Sequence, residues 1–402
     1  MALRITGAEL FGITETSATV AFAVEDASGV VDAPARVRVG GELRATSEGE
    51  GTRLVRVEGL EPEASYTLEI EADGAATPQP NPYLPAHFET LPAPRGSQVA
   101  AFATLNDLHF GEPRFGGTLL EGGDYGPEAP GFPDAKAGDT DVPYWQFMNE
   151  DAIADINASG VDSAIIKGDI ADRGQPEQFA AAARAFSRFA MPHHAFLGNH
   201  DYYGLLDGLE IDGYALLDQP PAPRALDFPG WRLLLLETAL PGEHHGVFGD
   251  ERLHWLSEAL AETRAAGIPT LLLMHHQPVP PRHANSFPND IGMRPEHSLR
   301  LFELLGSQSQ VKGVLIGHTH RNRVRRYPEA GSIPFIEINC TKDYPGGFGH
   351  YRLFDDGSFR QEVRRTSSAR ALAHSTRCRD FFDGGYRRFS LGPLDARSFV
   401  AS

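Results

Sequence analysis

The sequence predicts an α/β protein whose core lies behind a small all-β sandwich. Three observations carry this reading. Up to about residue 92, apolar side chains recur at every second position between turns rich in Gly, Pro and acids, the period of half-buried strands. From about 99 to 363, short apolar runs alternate with stretches of helical period, as expected when strands and helices follow one another. From 364 to 402 neither period holds.

In the first segment Ala18, Val20, Phe22 and Val24 alternate with Thr19, Ala21 and Ala23, the last two weak polar partners. Val37 and Val39 alternate with Arg36 and Arg38, Val55 and Val57 with Leu54 and Arg56, and Tyr66, Leu68 and Ile70 with Thr67 and Glu69. Leu60, Pro62 and Tyr66 have the spacing of a tyrosine corner, in which a Tyr hydroxyl bonds back to the upstream turn. With these strands, that spacing resembles a fibronectin type III module. Such a module is expected to be structural or an oligomer contact, since a fold does not itself specify function. Thr90–Gln98, rich in turn residues, reads as a linker.

In the second segment, Val99–Leu105, Ala164–Ile166, His194–Leu197, Leu271–Met274 and Val314–Ile316 read as buried strands. Pro143–Ser159 reads as a helix with Trp145, Met148, Ala152 and Ile156 on one face and Gly160 placed to end it. Gln178–Phe189, Glu251–Ala266 and Pro295–Leu305 read the same way. The insertion Phe110–Val142 has no period, and a loop of that length usually serves function. The third segment carries eight arginines and three aspartates. Its aromatic residues, Phe381, Phe382, Tyr386, Phe389 and Phe399, predict that it packs on the body, though no fold is assigned to it.

Bulk composition narrows the function classes. The chain has 402 residues, 41% hydrophobic, and a net charge of −18, so a phosphate backbone would be repelled and nucleic-acid binding is disfavoured. No apolar stretch is long enough to span a bilayer, and MALRITGAEL lacks the pattern of a secretory signal. With Cys340 and Cys378 the only cysteines, a disulfide framework is excluded and a reducing cytoplasm is expected. The sequence is compatible with a homo-oligomer.

Each expected strand of the central segment ends in side chains that bind metals. Asp107-Leu108-His109 follows the first, and Gly168-Asp169-Ile170-Ala171-Asp172-Arg173-Gly174 the second. Gly198-Asn199-His200-Asp201 follows the third, His275-His276 the fourth, and Gly317-His318-Thr319-His320 the fifth. Ligands of open α/β sheets bind beyond the carboxyl ends of the strands, so the five clusters can meet at one point. Carboxylate, amide oxygen and imidazole suit two divalent ions such as Mn, Fe or Zn, and without cysteine in the set a thiolate zinc site is excluded. The one-residue gap in Asp107-x-His109 and His318-x-His320 would put each pair on one side of an extended chain. One such motif is weak evidence; the ordered set of five is strong.

The ordered set DxH, GDxxDRG, GNHD, HH and GHxH resembles the calcineurin-like metallophosphoesterase superfamily, over roughly Ala101–Phe354. WRLLLLETALPG, HWLSEAL and LLLMHHQPVP look like its class III phosphodiesterase branch, which includes cyclic-nucleotide and glycerophosphodiester enzymes. The resemblance implies a β-sandwich flanked by helices as the catalytic domain, residues 99–363, behind the 1–92 module and ahead of the 364–402 tail. It implies one metal held by Asp107, His109 and His320, another by Asn199, His275 and His318, and Asp169 bridging them. His275 is the expected ligand and His276 lies behind it, the reverse being the alternative. His200 would contact phosphate at the mouth, with Asp172 orienting it; Arg173 contacts either phosphate or a neighbouring acid. Where purple acid phosphatases have a tyrosine, this chain has Asp172, which disfavours that branch. His193, His194, His244, His245 and His297 have no motif support.

These assignments imply hydrolysis of a small-molecule phosphate ester, a diester in the first reading, by a hydroxide bridging two metals about 3.5–4 Å apart. A phosphomonoesterase at the same site is the alternative. A non-enzymatic adhesion protein built on the fibronectin-like module is more remote. The insertion 110–142 would form a lid or substrate wall. Asp343 or Tyr344, in CTKDYPGGF, would line the pocket, and the tail's arginines would hold phosphate or, as preferred, neutralise the acidic body.

Overall fold

A computed structural model of the chain describes residues 2–113, 115, 142–285, 291–381 and 383–401. The expected lid therefore lies outside the described residues, except Phe110–Pro113, Phe115 and Val142, as does Phe382 of the tail. Among the described residues no helix is long and apolar enough to cross a membrane.

The first segment forms eight strands in two four-stranded sheets. β1 (Arg4–Ile13), β2 (Ser17–Asp26), β3 (Gly29–Val30) and β6 (Arg53–Glu58) make one; β5 (Glu42–Ser47), β4 (Ala35–Val39), β7 (Ser65–Ala72) and β8 (His87–Glu89) make the other. Every pairing is antiparallel. Val20, Phe22, Val37, Val39, Val55, Val57, Leu68 and Ile70 share one core, as their alternation predicts. The Tyr66 hydroxyl accepts the Glu61 N–H at 2.9 Å, the bond expected of the corner. Ala21 and Ala23, read as outward positions, are nevertheless buried. The neighbouring β1 rests against the tail: Arg397 donates to the Leu10 and Phe11 carbonyls, and Ser398 Oγ accepts the Ile13 N–H at 2.9 Å. A sheet covered on both faces loses its polar alternation.

The central segment forms two six-stranded mixed sheets. In the first, β9 (Gln98–Leu105), β10 (Ser163–Lys167) and β11 (His193–Phe196) run parallel, and β18 (Phe348–Phe354), β19 (Phe359–Arg364) and β20 (Ser398–Ala401) continue it antiparallel. In the second, β13 (Trp231–Leu236), β14 (Thr270–Met274), β15 (Val311–Ile316) and β17 (Pro334–Glu337) run parallel between antiparallel edges β12 (Arg224–Phe228) and β16 (Arg323–Arg326).

The leucine runs show how the layers form. Side chains alternate across a strand, so Leu233, Leu235, Leu271, Leu273 and Leu315 join the core shared with Phe102 and Ile165 of the first sheet. Their neighbours Leu234, Leu236, Leu272, Met274, Val314 and Ile316 pack on Leu256 and Leu260 of helix Asp250–Ala266 and on Leu301, Phe302 and Leu305 of helix Pro295–Leu305. Helices Tyr144–Ala158 and Pro176–Phe186 supply Phe147, Ile153, Phe179 and Phe186 to the larger core. The result is a β-sandwich flanked by helices.

The tail is more structured than its composition implied. Ala369–Arg379, Gly385–Ser390 and Leu394–Arg397 are helical, and Ser398–Ala401 adds strand β20 to the first sheet. Its arginines meet acids and carbonyls: Arg370 pairs with Asp151, Arg379 with Asp380, and Arg387 with Glu9 at 2.8 Å. The neutralising role thus fits them better than phosphate binding.

Candidate metal centre

The parallel strands of both sheets end on the same side, and their ends carry the five motifs. β9, β10 and β11 deliver Asp107, His109, Asp169, Asn199 and His200; β14 and β15 deliver His275, His318 and His320. The local backbone differs from the extended geometry expected of the paired motifs. Asp107, His109, Asp169, His318 and His320 all have φ between +43° and +65°, in the left-handed region. Non-glycine residues rarely adopt it, and such strain gathers at functional sites. The sharp turn at each strand end, rather than strand alternation, turns these side chains inward. Glycines make the approach feasible. A Cβ at Gly198 would lie 2.3 Å from Asp169 Oδ1, and one at Gly168 would lie 2.7 Å from both Gly198 N and His275 Nδ1.

The side chains converge. Donor atoms of Asp107, His109 and His320 lie within 4.8 Å of one another, as do those of Asp107, Asp169 and His275, and those of His109, Asp169 and His200. His275 Nε2 is 3.1 Å and His109 Nε2 3.9 Å from Asp169 Oδ2, while His320 Nε2 is 3.4 Å from Asp107 Oδ1. His318 Nδ1 is 3.3 Å from His275 Nε2. Asp169 touches both halves of the cluster. Asn199 donates its amide to the Tyr203 hydroxyl at 2.6 Å, which leaves its buried Oδ1 without a hydrogen bond; His109 Nε2 is likewise buried and unbonded. A buried polar atom without a partner is costly, and an oxygen and a nitrogen so placed are what a divalent cation takes as ligands.

The ring nitrogens turned away from the cluster are fixed. His275 Nδ1 donates to the Lys167 carbonyl at 2.7 Å, His318 Nε2 to the Ile291 carbonyl at 3.0 Å, and His109 Nδ1 lies 3.3 Å from Asp172 Oδ1. His276, the alternative to His275, has Nδ1 on Thr238 Oγ1 at 2.9 Å and Nε2 on the His244 carbonyl at 3.2 Å. Both its nitrogens are engaged, whereas His275 keeps Nε2 for Asp169.

Electrostatics keep the carboxylates charged and divide the imidazoles, lowering His109 and His318 and raising His275 and His320. Burial, then nearby His200 and Lys342, holds His109 well below the usual imidazole range; burial and the His275 charge take His318 down to about 3. Burial opposes ionisation of Asp169, yet His275 and His200 keep it well below the carboxylate range. Burial also opposes the charge on His275, but Asp169 outweighs it and lifts the pKa to about 9.

The remaining expected residues divide. His200 Nδ1 donates to the Asp172 backbone carbonyl at 2.7 Å, while the Asp172 carboxylate is 4.0 Å away and serves His109 instead. Arg173 is not drawn in: it sits on the rim, half exposed, 3.6 Å from Asp207. Asp343 is buried 3.9 Å from His320 Nδ1, but the Tyr344 hydroxyl turns away to Glu9 at 2.6 Å.

Several contributors carry no sequence signal strong enough to single them out. Asp201 lies inside a motif that points to no role for it. It accepts the Ile170, Ala171 and Gly198 N–H groups and so ties two loops together. Tyr203 orients Asn199 and meets His244 Nδ1. Asn106 donates to Asp107. Lys167 is a charge at the end of an apolar run, and its buried Nζ reaches the Ile316 carbonyl at 2.6 Å, linking the two sheets.

Comparison with known proteins agrees with this geometry. A family model described as calcineurin-like phosphoesterase matches residues 102–322. The chain is 33% identical over 178 residues to a cAMP/cGMP dual specificity phosphodiesterase of Mycobacterium tuberculosis (strain CDC 1551 / Oshkosh), covering 41% of this chain and 51% of that protein. It is 28% identical to a 3',5'-cyclic adenosine monophosphate phosphodiesterase of Pseudomonas aeruginosa, covering 51% of this chain and 75% of the relative. Identity to a glycerophosphodiester phosphodiesterase of Enterobacter lignolyticus (strain SCF1) is also 28%, with 50% and 68% covered. The match thus spans about half the length of the mycobacterial relative.

Proposed function

We propose a small-molecule phosphodiesterase activity for this chain, which belongs to the calcineurin-like phosphoesterase family. One observation carries the reading: Asp and His side chains from five strand ends converge, and at those same ends the buried Asn199 Oδ1 and His109 Nε2 have no hydrogen-bond partner among the described residues. In this reading Asp107, His109 and His320 would hold one divalent ion and Asn199, His275 and His318 a second, with Asp169 available to either. The mixed oxygen and nitrogen donors favour Mn, Fe or Zn. Bound there, such ions would supply Lewis acidity toward a phosphoryl group and activate water as nucleophile.

The chain's own residues supply the rest. Asp169 and Asp107, kept ionised, hold the two halves of the site at fixed separation. His200 has its Nδ1 proton committed to the Asp172 carbonyl, so Nε2 is the nitrogen left to titrate. Burial lowers its pKa in the free protein. In its protonated form, which the negative charge of a bound phosphate favours, Nε2 would donate to the departing alkoxide. The curated relatives named for cyclic nucleotides and glycerophosphodiesters support a diester substrate. Residues 1–92 form a fibronectin type III-like structural module in this reading, 99–363 the catalytic domain and 364–402 a tail folded onto both. Two free, buried cysteines suit a cytoplasmic protein.

The test pairs metal content with a substrate panel. Wild-type protein should bind two equivalents of metal and hydrolyse bis-p-nitrophenyl phosphate faster than the mono-ester; the opposite preference would make it a phosphomonoesterase. Asp169→Ala should lose metal and about 10³-fold in turnover. An Asp169→Ala variant with both metals and wild-type turnover would refute the assignment.

A further inference from the structure

The outer nitrogens of the other imidazoles in the cluster are hydrogen-bonded, and that of His320 is approached at ion-pair distance by a carboxylate that the C-terminal tail clamps. His275, His318 and His109 have their outer nitrogens on a carbonyl, a carbonyl and the Asp172 carboxylate. The outer nitrogen of His320 faces Asp343 Oδ2 at 3.9 Å. Asp343 is fully buried and is pinned on two further sides. Its Oδ1 accepts the Tyr386 hydroxyl at 2.8 Å, and its Oδ2 is 3.3 Å from Lys342 Nζ, which lies 2.7 Å from Glu112. Tyr386 belongs to helix Gly385–Ser390 of the tail.

We infer that Asp343, clamped by Tyr386 and Lys342, is a positioning residue that orients His320. The C-terminal tail then sets the metal affinity of the Asp107/His109/His320 half of the site. Outer carboxylates fix ring orientation and raise the basicity of a ligating imidazole, and their loss typically costs about 10–100-fold in metal affinity. A carboxylate aimed by a tyrosine hydroxyl and a buried ammonium has little freedom to leave that position. The inference rests on the metal-site reading above.

The experiment titrates Mn or Zn into metal-free wild-type, Asp343→Asn, Tyr386→Phe and Tyr344→Phe proteins, with melting temperature measured for each. Wild type should take up two equivalents. Asp343→Asn should weaken one equivalent by about 10–100-fold and leave the other unchanged. Its lost turnover at low metal should return with excess metal. Tyr386→Phe, which removes a single hydroxyl, should shift the same equivalent in the same direction by less. Tyr344→Phe, in the same loop but bonded to Glu9, should bind as wild type. Two wild-type equivalents in both Asp343→Asn and Tyr386→Phe would overturn the inference, as would equal weakening of both equivalents together with a lowered melting temperature. A wild-type protein that binds no metal would instead overturn the underlying site reading, and this inference with it.

Discussion

Two buried clusters of charge in this molecule use carboxylates in opposite ways. Where β1 and the β1–β2 turn meet the body, carboxylates are answered by guanidinium groups. Glu15 takes both nitrogens of Arg352 at 2.7 Å and Arg360 at 3.1 Å, and Glu9 lies 2.8 Å from Arg387 and 3.8 Å from Arg365. At the strand ends, Asp107 and Asp169 meet imidazoles, and the neighbouring Asn199 Oδ1 and His109 Nε2 stay without a hydrogen bond. Guanidinium stays charged and fills a carboxylate's lone pairs, whereas a neutral imidazole offers a lone pair of its own. The first arrangement sets full charges against one another, although Glu9 Oε2 keeps no hydrogen bond; the second leaves ring and amide lone pairs unbonded.

The contrast breaks most visibly at Glu9. Glu9→Ala leaves Arg387 and Arg365 facing an empty acceptor in a buried seam, and should cost about 3–5 kcal/mol in urea unfolding. Activity per folded molecule should be unchanged. A stable Glu9→Ala protein would mean the seam is not held by charge. His200→Ala should have the converse profile: full metal content and stability, but about 100-fold slower turnover. The slowing should shrink for substrates with good leaving groups, and equal slowing across leaving groups would exclude proton donation.

Glu15 sharpens the comparison through pH. Burial favours its neutral form, but the Arg352 bond and the charges of Arg352 and Arg360 take its pKa down to about 2. A folded-state pKa below the ordinary 4.5 stabilises the fold above that ordinary value, and the benefit fades as pH falls through about 2. Glu15→Gln should therefore lose about 1.5–3 kcal/mol at neutral pH. Its deficit against wild type should narrow steadily between pH about 5 and about 2. A deficit independent of pH would assign the effect to packing. The smallest change is Tyr203→Phe, which frees the Asn199 amide. It should lower metal affinity about tenfold without altering unfolding.

Much of the convergent cluster is legible because its Asp and His residues lie in short, ordered motifs at strand ends. Buried parallel strands also announce themselves as continuous apolar runs, as Leu271–Met274 does within β14. The orienting residues were not legible. Lys167 acts through a contact across the sandwich, Tyr203 and Asn106 on near neighbours in the chain, and nothing in their residue types or spacing distinguishes them from core or turn residues. The paired motifs were found for a reason that the backbone revises, since left-handed turns rather than extended chain bring Asp107 and His109 together. Tail strand β20 was missed because four residues, SFVA, give no usable period. The outward face of β2 looked weakly polar because alanine serves equally on a covered face.

The margins of the two large sheets have a practical consequence. An open margin invites another chain to add on through its unpaired backbone, and proteins blunt it with short or cationic strands. Here one sheet ends in the four-residue strands β11 and β20, and the other in the five-residue β12 and in β16, with arginine at three of the four positions of β16. Deleting Ser398–Ala401 would bare the longer β19 instead. A protein trimmed at residue 397 should therefore aggregate on concentration or gentle warming.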